Sequence, residues 1–212
     1  MEKYVFGDKS ADIVLIQPVD EHELTSMESE VRFIADNGSK PFQLIAVMIS
    51  DWNHELSPWE APAVFGKEGF GKGAPDTLGR LLQLCEDKSK SYYIGGYSLA
   101  GLFALWAVHQ TDLFHGVAAA SPSMWFPGFI DYMKEHEIRC DHVYLSLGDK
   151  EEKTKNPVVA TVGDNIRMAA RILSTGQKDF CILEWNEGNH FRESDLRCAK
   201  AFAGVLESTK TI

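Results

Sequence analysis

Six short apolar runs, at residues 13–17, 43–49, 91–95, 116–120, 142–147 and 180–185, are mostly β-branched or aromatic and bounded by Gly, Pro, Asp or Ser. That length and composition predict buried strands. Tyr4 to Phe6 adds a short edge strand. Between the runs lie longer segments of helical period, at residues 21–36, 76–87, 99–110, 128–137, 157–175 and 192–207. In the second of these, Leu78, Leu81, Leu82 and Cys85 repeat along one helical face, and Asp76 is placed to cap the first turn. Pro157 suits a first helical turn and Gly176 a helix stop. Strand–helix alternation with nearly continuous apolar strands predicts an α/β fold, a mostly parallel central sheet flanked by helices on both faces. No internal repeat, low-complexity tract or linker divides the chain, so residues 1–212 read as one domain. Residues 51–75, rich in Gly, Pro and aromatics, break the rhythm. A loop of about 25 residues inside a compact domain is usually functional or mobile.

Composition excludes more than it selects. The 212 residues are 44% hydrophobic and 25% charged, which is ordinary for a chain with a buried core. The net charge of −10 disfavours phosphate backbones and anionic headgroups, so neither a nucleic-acid nor a membrane partner is expected. Cys85, Cys140, Cys181 and Cys198 are widely spaced, without a Cys-x-x-Cys pair, and read as reduced thiols. The first residues hold no secretory apolar stretch and no run of about 18 uncharged apolar residues follows, so a cytoplasmic protein is expected.

The chemistry concentrates where the third main run ends. Gly95-Gly96-Tyr97-Ser98-Leu99-Ala100-Gly101 carries a strand into a helix of small and apolar residues and matches the nucleophile elbow G-x-S-x-G, with Ala100 in its last position. A serine in so tight a turn needs small neighbours two residues away on either side, and Gly96 and Ala100 supply them. The turn also sets Ser98 at a helix N-terminus, which favours a developing anion. A serine hydroxyl needs a base. His190 alone among seven histidines follows the last apolar run in a short polar loop, at the sheet edge where Ser98 stands. His22, His109, His115, His136 and His142 read as surface or packing residues. Asp149, Glu151 and Glu152, after the run at 142–147, each qualify as the carboxylate that orients the imidazole. For an oxyanion hole, the N–H of Leu99 is one donor, and Trp52 or Asn53 in the loop after 43–49 supplies the second. His54 has no companion ligands at metal spacing, so no metal and no cofactor is expected.

The elbow, Ala120-Ser121-Pro122-Ser123-Met124-Trp125, the acidic loop after Gly148 and Gly188-Asn189-His190 together resemble the esterase D and enterochelin esterase-like family of α/β-hydrolases. Asn53-His54-Glu55-Leu56-Ser57-Pro58 is similar to the charged, Pro-ending loop of the siderophore-esterase branch. The resemblance implies the α/β-hydrolase fold. It also implies an acid three residues after a glycine, which falls on Glu151. The short chain implies no lid domain and a sheet of seven strands or fewer. Residues 51–75 and 121–129 then frame the opening. Trp52, Phe65, Phe70 and Phe126 are candidate walls, with Trp125, Trp59 and Phe191 the expected substrate contacts. The expected activity is hydrolysis of a small or medium-sized carboxylic ester through an acyl-enzyme on Ser98. An acyltransferase and a catalytically silent binding protein of the same fold are the alternatives.

Overall fold

A computed structural model of the chain describes residues 1–38, 40–175 and 180–207. Seven strands, β1 (Lys3–Gly7), β2 (Ile13–Val19), β3 (Phe42–Met48), β4 (Ser91–Tyr97), β5 (Phe114–Ala120), β6 (His142–Gly148) and β7 (Phe180–Asn186), form one sheet in the order β1-β3-β2-β4-β5-β6-β7. Only β1 runs antiparallel, against β3; the other neighbours are parallel. The chain steps from β2 to β3 in one direction and then crosses to β4 on the other side of β2. In such open sheets, sites form beyond the carboxyl ends of the strands.

The helices are α1 (Glu21–Leu24), α2 (Met27–Asn37), α3 (Trp52–Glu55), α4 (Ala74–Leu82), α5 (Ser98–Gln110), α6 (Phe129–Glu135), α7 (Val162–Thr175) and α8 (Ser194–Glu207). Strand residues alternate between two cores. Val14, Ile16, Ile45, Val47, Val117 and Ala119 face one layer, shared with residues of α4, α5, α6 and α7. Leu15, Leu44, Ala46, Ala118 and Ala120 face the other, against α2 and α8. Helix α5 is buried from Leu99 through His109, so it has no polar face to show.

Three expected helices differ in detail. The segment at 21–36 is two helices, because the hydroxyls of Thr25 and Ser26 bond back to the carbonyls of His22 and Glu23 and compete with the helical ladder. Asp76 does not cap α4: the helix begins earlier, at Ala74 after the cap residue Gly73, with Pro75 in its first turn, and Asp76 falls inside that turn. The segment at 157–175 opens with a 3-10 turn at Val159–Thr161 ahead of α7. Pro157 stands in a first turn, as expected: the Ala160 N–H donates to the Asn156 carbonyl at 2.9 Å, and the Asn156 side chain accepts from the N–H groups of Val158 and Val159. Gly176, the expected stop of α7, lies outside the described residues. Among the described residues no helix is long and apolar enough to cross a membrane.

One buried charge bears on stability. Glu30, only 2% exposed where α2 meets α8, has its carboxyl held well above the usual range. Burial is the main cause; a hydrogen bond from Gln17 opposes it, and the charges of Glu23 and Asp195 add to it. A raised carboxyl stabilises the fold fully below the unfolded value, near 4.5, and loses that contribution as pH rises toward the folded value. Glu30→Gln should therefore raise stability at pH 8 by roughly 2 kcal/mol, with the gain vanishing toward pH 4.5. Urea midpoints of the two proteins at both pH values test this, and an equal gain at both would refute it.

Candidate active site

The turn from β4 into α5 gives Ser98 its position. Its φ is +55°, in the left-handed region, where a non-glycine residue is strained. Neighbouring backbone holds it there, for the Ser123 N–H donates to the Ser98 carbonyl at 3.0 Å. Close packing explains the small residues around it. A Cβ on Gly96 would come within 2.7 Å of the Ala100 Cβ, and one on Gly101 within 2.9 Å of the Gly96 carbonyl oxygen. Both contacts are shorter than van der Waals packing allows, so a larger residue at either place would force β4 and α5 apart.

Three side chains from three strand ends meet over this turn. The Ser98 Oγ lies 3.0 Å from Nε2 of His190, and the His190 Nδ1 lies 2.7 Å from Oε2 of Glu151. The other Glu151 oxygen, Oε1, accepts three hydrogen bonds: from the Ser121 hydroxyl at 2.7 Å, the Gly148 N–H at 2.7 Å and the Arg197 Nη1 at 2.9 Å. Burial opposes charge on Glu151. The hydrogen bond and charge of His190, with the bonds from Ser121 and Gly148, outweigh it and hold the carboxyl below its ordinary value. Glu151 is thus ionised, and its free lone pairs are directed at the imidazole. The two other acids of the loop are engaged elsewhere. Asp149 accepts from the Gly188 N–H at 2.7 Å, and Glu152 holds Arg167 through two bonds of 2.9 Å.

No family model matches the chain, and no curated protein matches it either. Solved structures do. The siderophore hydrolase EstA from Aspergillus nidulans superposes with a TM-score of 0.69 at 18% identity, covering 99% of this chain and 90% of its own. An IroE-like serine hydrolase from Shewanella oneidensis gives 0.75 at 14% identity, over 97% of this chain and 74% of its own. Acyl-protein thioesterase 2 from Zea mays gives 0.60 at 12% identity, over 97% of this chain and 99% of its own. The chain has the α/β-hydrolase fold. In that fold a serine after the strand corresponding to β4 stands at the top of the sheet, with a carboxylate and a histidine following in chain order. Ser98, Glu151 and His190 keep that order.

On this hydrolase fold a cavity of about 470 Å³ opens over Ser98 and His190. Trp125 and Phe191, two of the expected substrate contacts, line it, as does Phe65. Trp59 does not. Its indole N–H donates to the Pro127 carbonyl at 2.9 Å, and its ring packs on Phe126, Phe129 and Tyr132. Phe70 and Phe126 are buried in the aromatic core, and the Phe70 ring meets that of Trp125 at 5.7 Å. Trp52 and Asn53 are the first two residues of α3, so their N–H groups lack intrahelical acceptors, but neither residue lines the cavity. Leu99 follows Ser98 in the first turn of α5. The His54 N–H donates to the Asp51 carboxylate at 3.1 Å, at the start of α3.

Sequence reasoning missed four residues that hold the constellation. Arg197, on α8, is 2% exposed and reaches Glu151, the Ser121 hydroxyl at 3.2 Å, the Tyr97 hydroxyl at 3.3 Å and the Glu187 carbonyl at 3.0 Å. Tyr97 donates to the His190 carbonyl at 2.6 Å. Burial, and then the Glu151 charge, push its phenol up to about 12, so it remains a neutral donor. Ser121, with φ of +43°, and Ser123, whose hydroxyl is 3.3 Å from that of Ser98, complete the set. A signal for Arg197 was present. It precedes Cys198 and lies one turn before Ala201, on the stripe that α8 buries, where a lone guanidinium demands a partner.

Proposed function

We propose that this chain is a serine hydrolase that cleaves a carboxylic ester of a small or medium-sized molecule. The observation that carries the reading is the hydrogen-bonded series Ser98–His190–Glu151, at 3.0 and 2.7 Å, standing in an open cavity at the carboxyl edge of the sheet. Neighbours of the same fold bear the names of hydrolases and a thioesterase, which supports the same reading. His190 takes the Ser98 proton as the hydroxyl attacks the ester carbonyl, and Glu151 stabilises the imidazolium that forms. The Leu99 N–H, in the first turn of α5, donates to the oxyanion. His190 then protonates the leaving alcohol and activates water against the acyl-enzyme. The arrangement needs no metal and no cofactor for these steps.

The test is covalent. A fluorophosphonate reagent should label the protein stoichiometrically at Ser98, as read by mass spectrometry of the digested adduct. Labelling should disappear in Ser98→Ala and slow by orders of magnitude in His190→Ala, because the alkoxide no longer forms. A protein that stays unlabelled, or is labelled elsewhere, is not a serine hydrolase of this kind.

A further inference from the structure

The cavity over Ser98 combines two chemistries that a general esterase does not need together. Its walls are apolar: Phe65, Pro122, Trp125, Val159, Val162 and Phe191. Two of these rings stand open at its rim, Phe191 at 89% and Phe65 at 59% exposure. Large aromatics so exposed are covered when an apolar group enters. Phe65 meets the Trp125 ring edge-on at 5.6 Å and Phe191 the His190 ring at 5.6 Å, so each rim ring packs on a residue of the cavity.

Two cations stand at the same opening. The charged side chains lining the cavity, besides the imidazole, are Lys150, Glu151 and Lys153. Glu151 is buried and bound by Arg197 and His190. Around the rim Glu152 pairs with Arg167 and Glu187 with Arg192, while Asp149 accepts from the Gly188 N–H and keeps its charge. Lys150 and Lys153 form no ion pair within the described residues, although both help to hold the Asp149 carboxyl below its usual value after the Gly188 bond has done most of it. Their backbone is fixed, since the Lys150 N–H donates to Gly188 and the Lys153 N–H to Lys150, each at 3.1 Å. On a chain of net charge −10, two ammonium groups at a cavity mouth, offset only by the carboxylates of Asp149 and Glu152 on the same loop, place positive charge beside the reacting serine. A cleft focuses such a field on whatever enters it.

We infer that the substrate is an anionic ester, with an apolar acyl or aryl body seated between Phe65 and Phe191 and a carboxylate or other anionic group facing Lys150 and Lys153. This rests on the serine-hydrolase reading above and narrows its substrate class.

The experiment compares esters that differ by one charge. Mono-4-nitrophenyl glutarate and 4-nitrophenyl valerate share a leaving group and differ by a terminal carboxylate in place of a methyl. Acetate esters of 4-hydroxybenzoate and 4-cresol place the charge on the alcohol side. For each pair the ratio of kcat/KM, anionic over neutral, is measured in the wild type and in Lys150→Gln/Lys153→Gln. In one pair or the other the ratio should fall by about fivefold to tenfold in the double variant, as two partly exposed charge contacts warrant. Lys150→Glu/Lys153→Glu should lower it further. In the wild type, about 0.5 M sodium chloride should also shrink the ratio. If both neutral esters turn over in a Ser98-dependent manner and neither ratio responds to the lysines, the anionic-ester inference fails while the hydrolase stands. If no ester turns over and Ser98 is not labelled, the hydrolase reading fails and takes this inference with it.

Discussion

Ser98→Ala should lower kcat for a 4-nitrophenyl ester by a factor on the order of 10⁴ to 10⁶, with KM changed little. At about 1.36 kcal/mol per tenfold, that is a loss of roughly 5 to 8 kcal/mol of transition-state stabilisation. On the proposed mechanism the hydroxyl and the imidazole work as a unit. His190 sits 3.0 Å from the Ser98 oxygen, and without that oxygen it has only solvent water to activate. Alanine leaves the geometry of the turn alone, since the φ of +55° is enforced by the packing of Gly96 against Ala100 and by the Ser123 bond, not by the hydroxyl. The fold should therefore survive, with thermal midpoint and circular dichroism close to wild type. His190→Ala should lose a similar factor, and the double variant should lose scarcely more, because residues acting together are not additive. Stopped-flow release of 4-nitrophenol should show the burst disappear. Retention of a tenth or more of the wild-type rate in Ser98→Ala would mean that the chemistry lies elsewhere.

The architecture was legible because each strand is a short apolar run and each run is punctuated. The β2, β4, β5 and β6 starts fall within two residues of expectation, and even the antiparallel edge strand is present as Lys3–Gly7. What escaped was local hydrogen bonding. No hydrophobic period reports that Thr25 and Ser26 turn back on their own carbonyls, or that Pro75 draws the start of α4 ahead of Asp76. In the site, Ser98 and His190 were readable from motif and order, since both stand where a strand ends. Glu151 followed from resemblance alone, because three acids in one loop are equivalent until coordinates show which faces the imidazole. Trp59 shows the limit in the other direction. Aromatic content marks residues 51–75 as a wall, but an indole N–H needs an acceptor when buried, and Trp59 found one at Pro127, away from the cavity. Arg197 was passed over because a charged residue in an amphipathic helix is ordinarily solvated; only its angular position on α8 argues otherwise.

That arginine carries the second large effect. Arg197→Met should destabilise the protein by about 3 to 5 kcal/mol, because it strands the Glu151 carboxylate, whose side chain is 3% exposed, with no fixed cation. The Glu187 carbonyl loses a donor in the same stroke. Activity should fall as well, for a carboxylate that has lost its countercharge no longer stays reliably ionised beside His190. The double variant Glu151→Gln/Arg197→Met separates the two consequences. With both charges gone, most of the stability should return, as replacement of a buried pair by neutral groups is often close to neutral. Turnover should not return, since a glutamine cannot stabilise the imidazolium, and such a change costs about 10⁴ in kcat where it has the same role. The pH dependence has a definite sign. The depressed Glu151 carboxyl stabilises the wild type above the unfolded value near 4.5 and loses that contribution as pH falls through its lower folded value. The gap between wild type and Arg197→Met is therefore widest near neutrality and closes as the pH is lowered through that range. Urea midpoints across pH 4 to 8, beside kcat for the single and double variants, decide it. A single variant as stable as wild type at pH 7 would show that the guanidinium fills space on α8 without supporting the acid.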